Sequence, residues 1–401
     1  MKKLLLTAAM GLMAALSAYP FTVDGVNYST ANGVATVTGA SNKAITKLTI
    51  PATVTYGGTT YPVNFMEGDA FWNCTSLREL VIEDSETYIG TNYVSQSSGT
   101  STFLHYGDPF RDSPLEKVYV GRNLANRLGN GDLQAPTPIS STATSVDLTI
   151  AGKATFIPQG IAANMNMTFI NRTNITSLTI GGNVENVYNK AFSGCTGLKK
   201  VTLLPGETGI NFESNTIFTD CPIDTLVTGR DINTSNQCGG AQMKTVVITD
   251  ELNYLSTNIF WNCTSIKHVV LNDSQETLET PTQYNCVFDL CELESVYIGR
   301  YYTVGPMFGR SKIKKVIYGP LVTKVEKNSF TTRDEIEQVI FSDNMTEIED
   351  AAFYDCTSLT EITFPQSLKK IGVDAFHGCK SLIASDITPN VESIGSGAFC
   401  N

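Results

Sequence analysis

Cysteine is the residue whose number and spacing could do chemistry in this chain. Ten cysteines occur in 401 residues. Seven follow a phenylalanine by three residues: Phe71/Cys74, Phe192/Cys195, Phe218/Cys221, Phe260/Cys263, Phe288/Cys291, Phe353/Cys356 and Phe376/Cys379. Thiols can form disulfides, bind soft metals or act as nucleophiles. A metal site would call for Cys-x-x-Cys pairs, and the sequence has none. Seven cysteines in one recurring slot lie parallel when the repeats stack, and do not face one another. They read as buried free thiols that pack as small hydrophobes. Cys238, Cys286 and Cys400 fall off the pattern and are the candidates for disulfides.

The other chemistry-bearing residues are scattered. The three histidines, His105, His268 and His377, have no partner at metal-ligand spacing. Asp343, Glu347, Glu349 and Asp350 cluster at variable repeat positions, where a solvated face is expected. Facing carboxylates would be needed for hydrolysis, and sequence spacing does not identify such a pair. No nucleophile elbow, zinc-protease, phosphate-loop or dinucleotide fingerprint occurs. No catalytic residue, metal ligand or cofactor is therefore assigned.

The elements that carry these residues are repeats. Phe330, Phe353, Phe376 and Phe399 are spaced by 23 residues, a period that belongs to a solenoid. The cleanest unit places Ile348, Ala352, Phe353, Cys356, Leu359, Ile362 and Phe364 at its apolar positions, with Pro365 closing it. Ile-x-x-x-Ala-Phe spacing predicts one short helical turn, and the alternation after the leucine predicts a short strand. Comparable strand pairs run from Leu48/Ile50 to Val339/Phe341 and amount to about 13 turns. Long units with Leu or Ile six residues after the Phe alternate with short units that use five. The short ones often end in Gly-Arg, as at Gly121-Arg122, Gly229-Arg230 and Gly299-Arg300.

The first residues have a different character. Met1-Lys2-Lys3, an apolar run to Leu16, and Ser17-Ala18 have the form of a signal peptide, residues 1–18. Residues 19–64 read as an N-terminal β-hairpin cap with the first repeat strand. Asp24-Gly25 and Gly57-Gly58 are its turn signals. Residues 65–401 form the repeat array, with loop inserts at 91–108 and 129–145. The net charge of −11, without a basic cluster, excludes nucleic acid as a partner. No run after the leader approaches transmembrane length. An exported protein is expected.

The unit Ile-Gly-x-x-Ala-Phe-x-x-Cys-x-x-Leu-x-x-Ile-x-Phe-Pro, carried by Ile371–Leu382 and Leu359–Pro365, closely resembles the BspA-like leucine-rich repeat family. The resemblance covers nearly the whole chain after the leader and is looser over residues 91–175. It implies a β-rich α/β solenoid, a right-handed superhelix with short parallel strands. It also implies a secreted or surface protein of host-associated bacteria, and some members are adhesins for matrix proteins such as fibronectin and fibrinogen. It transfers no binding or catalytic residue, because the motif residues are core residues.

Recognition is instead expected on the strand face. The residue between the two inward residues of each strand forms an outward column without charge. Val81, Tyr119, Val270, Tyr297 and Ile317 are its candidate binding residues. β-Branched residues also favour strands for their own sake, so the column has a structural explanation too. Three functions stand open: a protein- or glycoprotein-binding, adhesin-like module for a host or cell-surface partner; a glycan-binding or glycan-processing surface protein; and a structural spacer.

Overall fold

Short parallel strands recur wherever the sequence alternates apolar and polar residues after a repeat leucine. The computed structural model describes residues 20–91, 93–98, 101–106, 109–124, 139, 142–158, 169–233, 242–256, 258–280, 286–305, 307–383 and 387–400. The signal-peptide assignment and Cys238 lie outside these residues, as does most of the second insert. The chain divides into two compact units. One comprises residues up to Leu198 with Thr216–Cys221; the other comprises Lys199–Asn215 and Pro222 onward.

In the first unit, strands Lys47–Ile50, Glu79–Ile82, Lys117–Val120, Val146–Ile150 and Ile175–Ile180 form a parallel ladder in register. Leu48, Leu80, Val118, Leu148 and Leu178 make one buried row and Ile50, Ile82, Val120, Ile150 and Ile180 the next. A second sheet is built from strands on both sides of Lys47–Ile50 in sequence. Its strands are Phe21–Val23, Val26–Ala31, Val34–Ala40, Thr59–Met66 and Thr53–Tyr56. Asp24-Gly25 and Gly57-Gly58 have positive φ at both residues, the geometry of tight hairpin turns. Asn32-Gly33 makes a third such turn. The first insert, expected as a loop, contains an antiparallel hairpin of Tyr93–Ser98 with Ser101–Tyr106. Two residues separate these strands, the loop length hairpins favour.

The second unit carries eight ladder strands: Lys200–Leu203, Thr225–Thr228, Thr245–Ile248, His268–Leu271, Glu292–Ile298, Lys312–Tyr318, Gln338–Ile340 and Glu361–Thr363. A parallel set of two-residue strands, Lys324–Val325, Glu347–Ile348, Lys370–Ile371 and Ser393–Ile394, runs along another side of its repeats.

The Phe-x-x-Cys segment is not helical. No helix occurs among the described residues, which corrects the helical turn expected from its spacing. The backbone explains why. The residue two after the phenylalanine has positive φ at Asn73, Asp112, Asn171, Gly194, Asp220, Asn262, Leu290, Thr332, Asp355 and Gly378. Left-handed residues at fixed intervals break an α-helix. Asn, Asp and Gly tolerate that conformation, which is why they dominate the slot. The amides turn toward the adjacent repeat instead of back along their own chain. Ala351, Phe353 and Asp355 donate to the carbonyls of Val373, Ala375 and His377 at 2.9, 2.8 and 2.7 Å. Asp374, Phe376 and Gly378 repeat this toward Ser396, Ala398 and Cys400.

Packing follows the same stack. Phe353 and Phe376 lie 5.3 Å apart at 7° between planes, and Phe71 and Phe110 lie 5.3 Å apart at 8°. Each phenylalanine and cysteine of the seven pairs is buried. The thiols are free, and five of the seven have a further role. Cys195, Cys221, Cys291, Cys356 and Cys379 donate to the carbonyls of Phe169, Phe192, Phe260, Phe330 and Phe353 at 3.0–3.2 Å. Ser113 and Ser311 occupy the same slot and donate to Phe71 and Phe288. The slot therefore selects a small side chain that can donate, as well as a small hydrophobe. Burial pushes the Cys263, Cys356 and Cys379 thiols up, so they stay protonated at neutral pH and able to donate. The off-pattern Cys286 and Cys400 are also free thiols.

Arginine supplies the other polar part of the core. Arg122, Arg230 and Arg300, from the three Gly-Arg pairs, are buried. Arg122 donates to the carbonyls of Val63, Pro51 and Glu83 at 2.8, 2.7 and 3.0 Å. Arg300 donates to Leu252 at 2.8 Å and to Thr249. Burial lowers the pKa of Arg122 and of Arg230 to about 10, which leaves both charged at neutral pH.

Candidate functional site

Each ladder strand turns two side chains inward and the residue between them outward, because successive side chains alternate across a strand. In-register parallel pairing then aligns the outward residues. In the first unit the column is Thr49, Val81, Tyr119, Thr149 and Thr179. In the second it is Thr202, Val227, Val247, Val270, Tyr297, Ile317, Ile340 and Thr363. The candidates Val81 and Tyr119 thus share one column, and Val270, Tyr297 and Ile317 occupy consecutive rungs of the other. All five are half-buried, whereas Ile340 is 39% exposed. Six consecutive rungs of the second unit, Val227 to Ile340, are apolar or aromatic.

A polar column flanks that stripe: Thr225, Thr245, His268, Ser295, Lys315 and Gln338. His268 Nδ1 pairs with the Ser295 hydroxyl at 2.8 Å, and its Nε2 lies 3.9 Å from Glu294. Farther out, charges pair across repeats, as in Lys244–Asp224 at 2.9 Å and Lys267–Glu292 at 3.6 Å. An uncharged centre bordered by polar and charged groups has the anatomy of a protein interface.

The two tyrosines are held in one way. Tyr119 donates its hydroxyl to Asp84 Oδ1 at 2.7 Å, and Tyr297 donates to Asp273 Oδ1 at 2.8 Å. Burial, then the bond to the aspartate, raises each phenol pKa to about 12. The aspartates were not among the residues expected from the sequence. The signal for them is a recurrence: Asp-Ser at 84–85 and 273–274, each followed one unit later by Tyr-Val-Gly-Arg or Tyr-Ile-Gly-Arg.

In the acidic cluster, Glu347 pairs with Lys370 at 2.5 Å, Glu349 with Lys324 at 3.0 Å and Asp350 with Lys327 at 3.6 Å. Lysine contacts hold the Glu349 carboxyl below its ordinary range, so it is an ionised ion-pair member. No group of three or more potential metal ligands occurs among the described residues. Both tryptophans are partly exposed on the turn segments, at the residue after Phe71 and Phe260. Trp72 is already engaged by Lys43, Arg111 and Asp112. No described helix is long and apolar enough to cross a membrane.

A sequence profile of the BspA type leucine rich repeat region matches residues 40–106, 164–288 and 305–401, in six copies. No curated protein matches the chain. Among solved structures, the chain is similar to a leucine-rich repeat protein from Bacteroides ovatus, at 19% identity over 95% of this chain and 92% of that one, with a TM-score of 0.31. A leucine rich cell surface protein from Faecalibacterium prausnitzii matches at 16% identity over 96% and 93%, with a TM-score of 0.24. A leucine-rich repeat protein from Eubacterium ventriosum matches at 13% identity over 93% and 96%, with a TM-score of 0.30.

Proposed function

Because this chain belongs to the BspA-type leucine-rich repeat family, we infer that it is an exported cell-surface module that binds a protein or glycoprotein through its strand face. The observation that carries this reading is the stripe Val227, Val247, Val270, Tyr297, Ile317 and Ile340. It is six rungs long, in register and uncharged. Exposed apolar surface costs solubility unless something covers it, and interface cores are depleted of charge and enriched in aromatic side chains. The parallel ladder makes the stripe rigid, so a partner orders little of it on binding. The N-terminal sheet, Phe21–Met66, acts as the cap that shields the first repeats. Residues 1–18 act as the export signal, consistent with a surface location on a bacterial cell.

Threonine already occupies the outward column at Thr149 and Thr179 in the first unit and at Thr202 and Thr363 in the second, so it fits the strand. Val247→Thr, Val270→Thr and Ile317→Thr together keep β-branching and remove apolar contact. Binding of the mature chain is measured on immobilised fibronectin, fibrinogen and other matrix proteins. The triple variant should lose roughly 2 kcal/mol or more of affinity with an unchanged circular dichroism spectrum. Equal affinity would move recognition off the stripe. Absence of binding to any matrix or cell-surface protein would leave the structural spacer as the better description.

A further inference from the structure

Beyond the apolar stripe, the strand face carries one constellation twice. Asp84, Tyr119, Gly121 and Gly152 make the first copy, and Asp273, Tyr297, Gly299 and Gly319 the second. The hydroxyl of each tyrosine holds one aspartate oxygen, at 2.7 Å in the first copy and 2.8 Å in the second. The glycines clear the seat. A Cβ at Gly121 or Gly152 would stand 2.2 or 2.1 Å from Asp84 Oδ1. One at Gly299 or Gly319 would stand 2.6 or 2.3 Å from Asp273 Oδ1. Both aspartates are exposed, and their second oxygens have no partner among the described residues.

A third long–short pair of repeats keeps only the first glycine of the set. There Pro205 stands in the aspartate slot, Val227 in the tyrosine slot and Thr249 in the slot of Gly319, while Gly229-Arg230 is kept. The buried arginine is therefore independent of the constellation. Asp250 and Asp343 also fill the aspartate slot, but the two tyrosines of the outward columns, Tyr119 and Tyr297, each have an aspartate there one rung back. The fold itself does not require them, since the Pro205/Val227 repeat pairs in the same ladder register.

We propose that these are two similar sites, one in each compact unit, that each receive an arginine or lysine side chain of the protein partner. The inference rests on the strand face being the recognition surface. An exposed carboxylate with a free oxygen accepts a charge-assisted hydrogen bond from a cation, and the adjoining phenol ring offers its face to the same cation. The tyrosine–aspartate bond fixes both rotamers beforehand, so binding orders little. Glu83 beside the first site and Glu276 beside the second add negative potential, in a chain of net charge −11, while Glu86 is paired with Lys153 at 3.0 Å.

The test is calorimetric titration of the mature chain with a short peptide of alternating Arg and Ser. Its Glu/Ser counterpart and maltohexaose serve as controls. Two Arg peptides should bind per chain, with affinity falling steeply as salt rises. Asp84→Asn and Asp273→Asn should each remove one site, and the double variant should weaken binding at least about tenfold. Tyr119→Phe/Tyr297→Phe keeps the rings but frees the carboxylates, and should weaken it less. Equal binding of the Glu peptide, or full binding by the double Asn variant, overturns the proposal. So does maltohexaose binding that the Asn substitutions abolish, which would make these saccharide sites. Matrix-protein binding that needs the stripe, without any Arg-peptide binding, would leave the strand-face reading intact and remove only this one.

Discussion

Replacing Arg122 tests whether the Gly-Arg pairs hold the repeats together from inside. The side chain is fully buried and donates to the carbonyls of Val63, Pro51 and Glu83, all at 3.0 Å or less. Hydrogen bonds to a charged group contribute roughly 1.5–3 kcal/mol each, and burying the cation offsets part of their sum. Arg122→Ala removes the cation, leaves three inward carbonyls short of a donor, and opens a cavity. Breaking one side of a buried charged network costs about 3–5 kcal/mol, the loss expected here. Arg122→Met fills more of the space and still leaves the carbonyls unanswered, so it should cost nearly as much. Arg122→Lys keeps the charge without the planar fork and should fall between it and the wild type. Lys117→Ala, on the exposed face, should change stability by under about 0.5 kcal/mol. Urea midpoints from circular dichroism rank the four variants. Wild-type stability in Arg122→Met would refute the reasoning, because it would mean that apolar filling alone supports this position.

Further expectations concern the turn segment and the tyrosines. Cys356→Ser should stay within about 1 kcal/mol of the wild type, whereas Cys356→Ala should lose roughly 2 kcal/mol in urea unfolding, since only serine retains the donor to Phe330. Thr332 is a β-branched residue at φ 60°, in a slot that elsewhere holds Asn, Asp or Gly except at Leu290. Thr332→Asn should raise stability by about 0.5–1 kcal/mol in the same assay. Tyr119 and Tyr297 keep their protons to about pH 12, against an ordinary value of 10.0. The folded state thus binds more protons between these values, and the stability it gains is present below pH 10 and lost as pH rises through 12. Absorbance at 295 nm should show these phenols ionising later in the native protein than in urea. Coincident titration curves would contradict this.

What the amino-acid sequence determined by itself was the repeat and everything that follows from alternation. The 23-residue spacing of Phe330, Phe353, Phe376 and Phe399, and the in–out pattern after each leucine, were enough to locate the ladder strands and their outward column. Side-chain alternation is a local property of one strand, and parallel stacking of equal units copies it without further information. The double-glycine and Asp-Gly turns were legible for the same local reason. Spacing alone misjudged the Phe-x-x-Cys segment, because i, i+4 apolar positions fit a helix as well as a turn. Left-handed residues such as Asp355 and amides drawn toward the next repeat decide that case. Tertiary structure alone decided the donors. Cys356 finds the Phe330 carbonyl 26 residues back, Tyr119 finds Asp84 at 35, and Arg122 finds Val63 and Pro51 at 59 and 71. A buried donor is chosen by whichever carbonyl the neighbouring repeats leave unanswered, and that depends on how units stack, not on any residue's own neighbours in the chain.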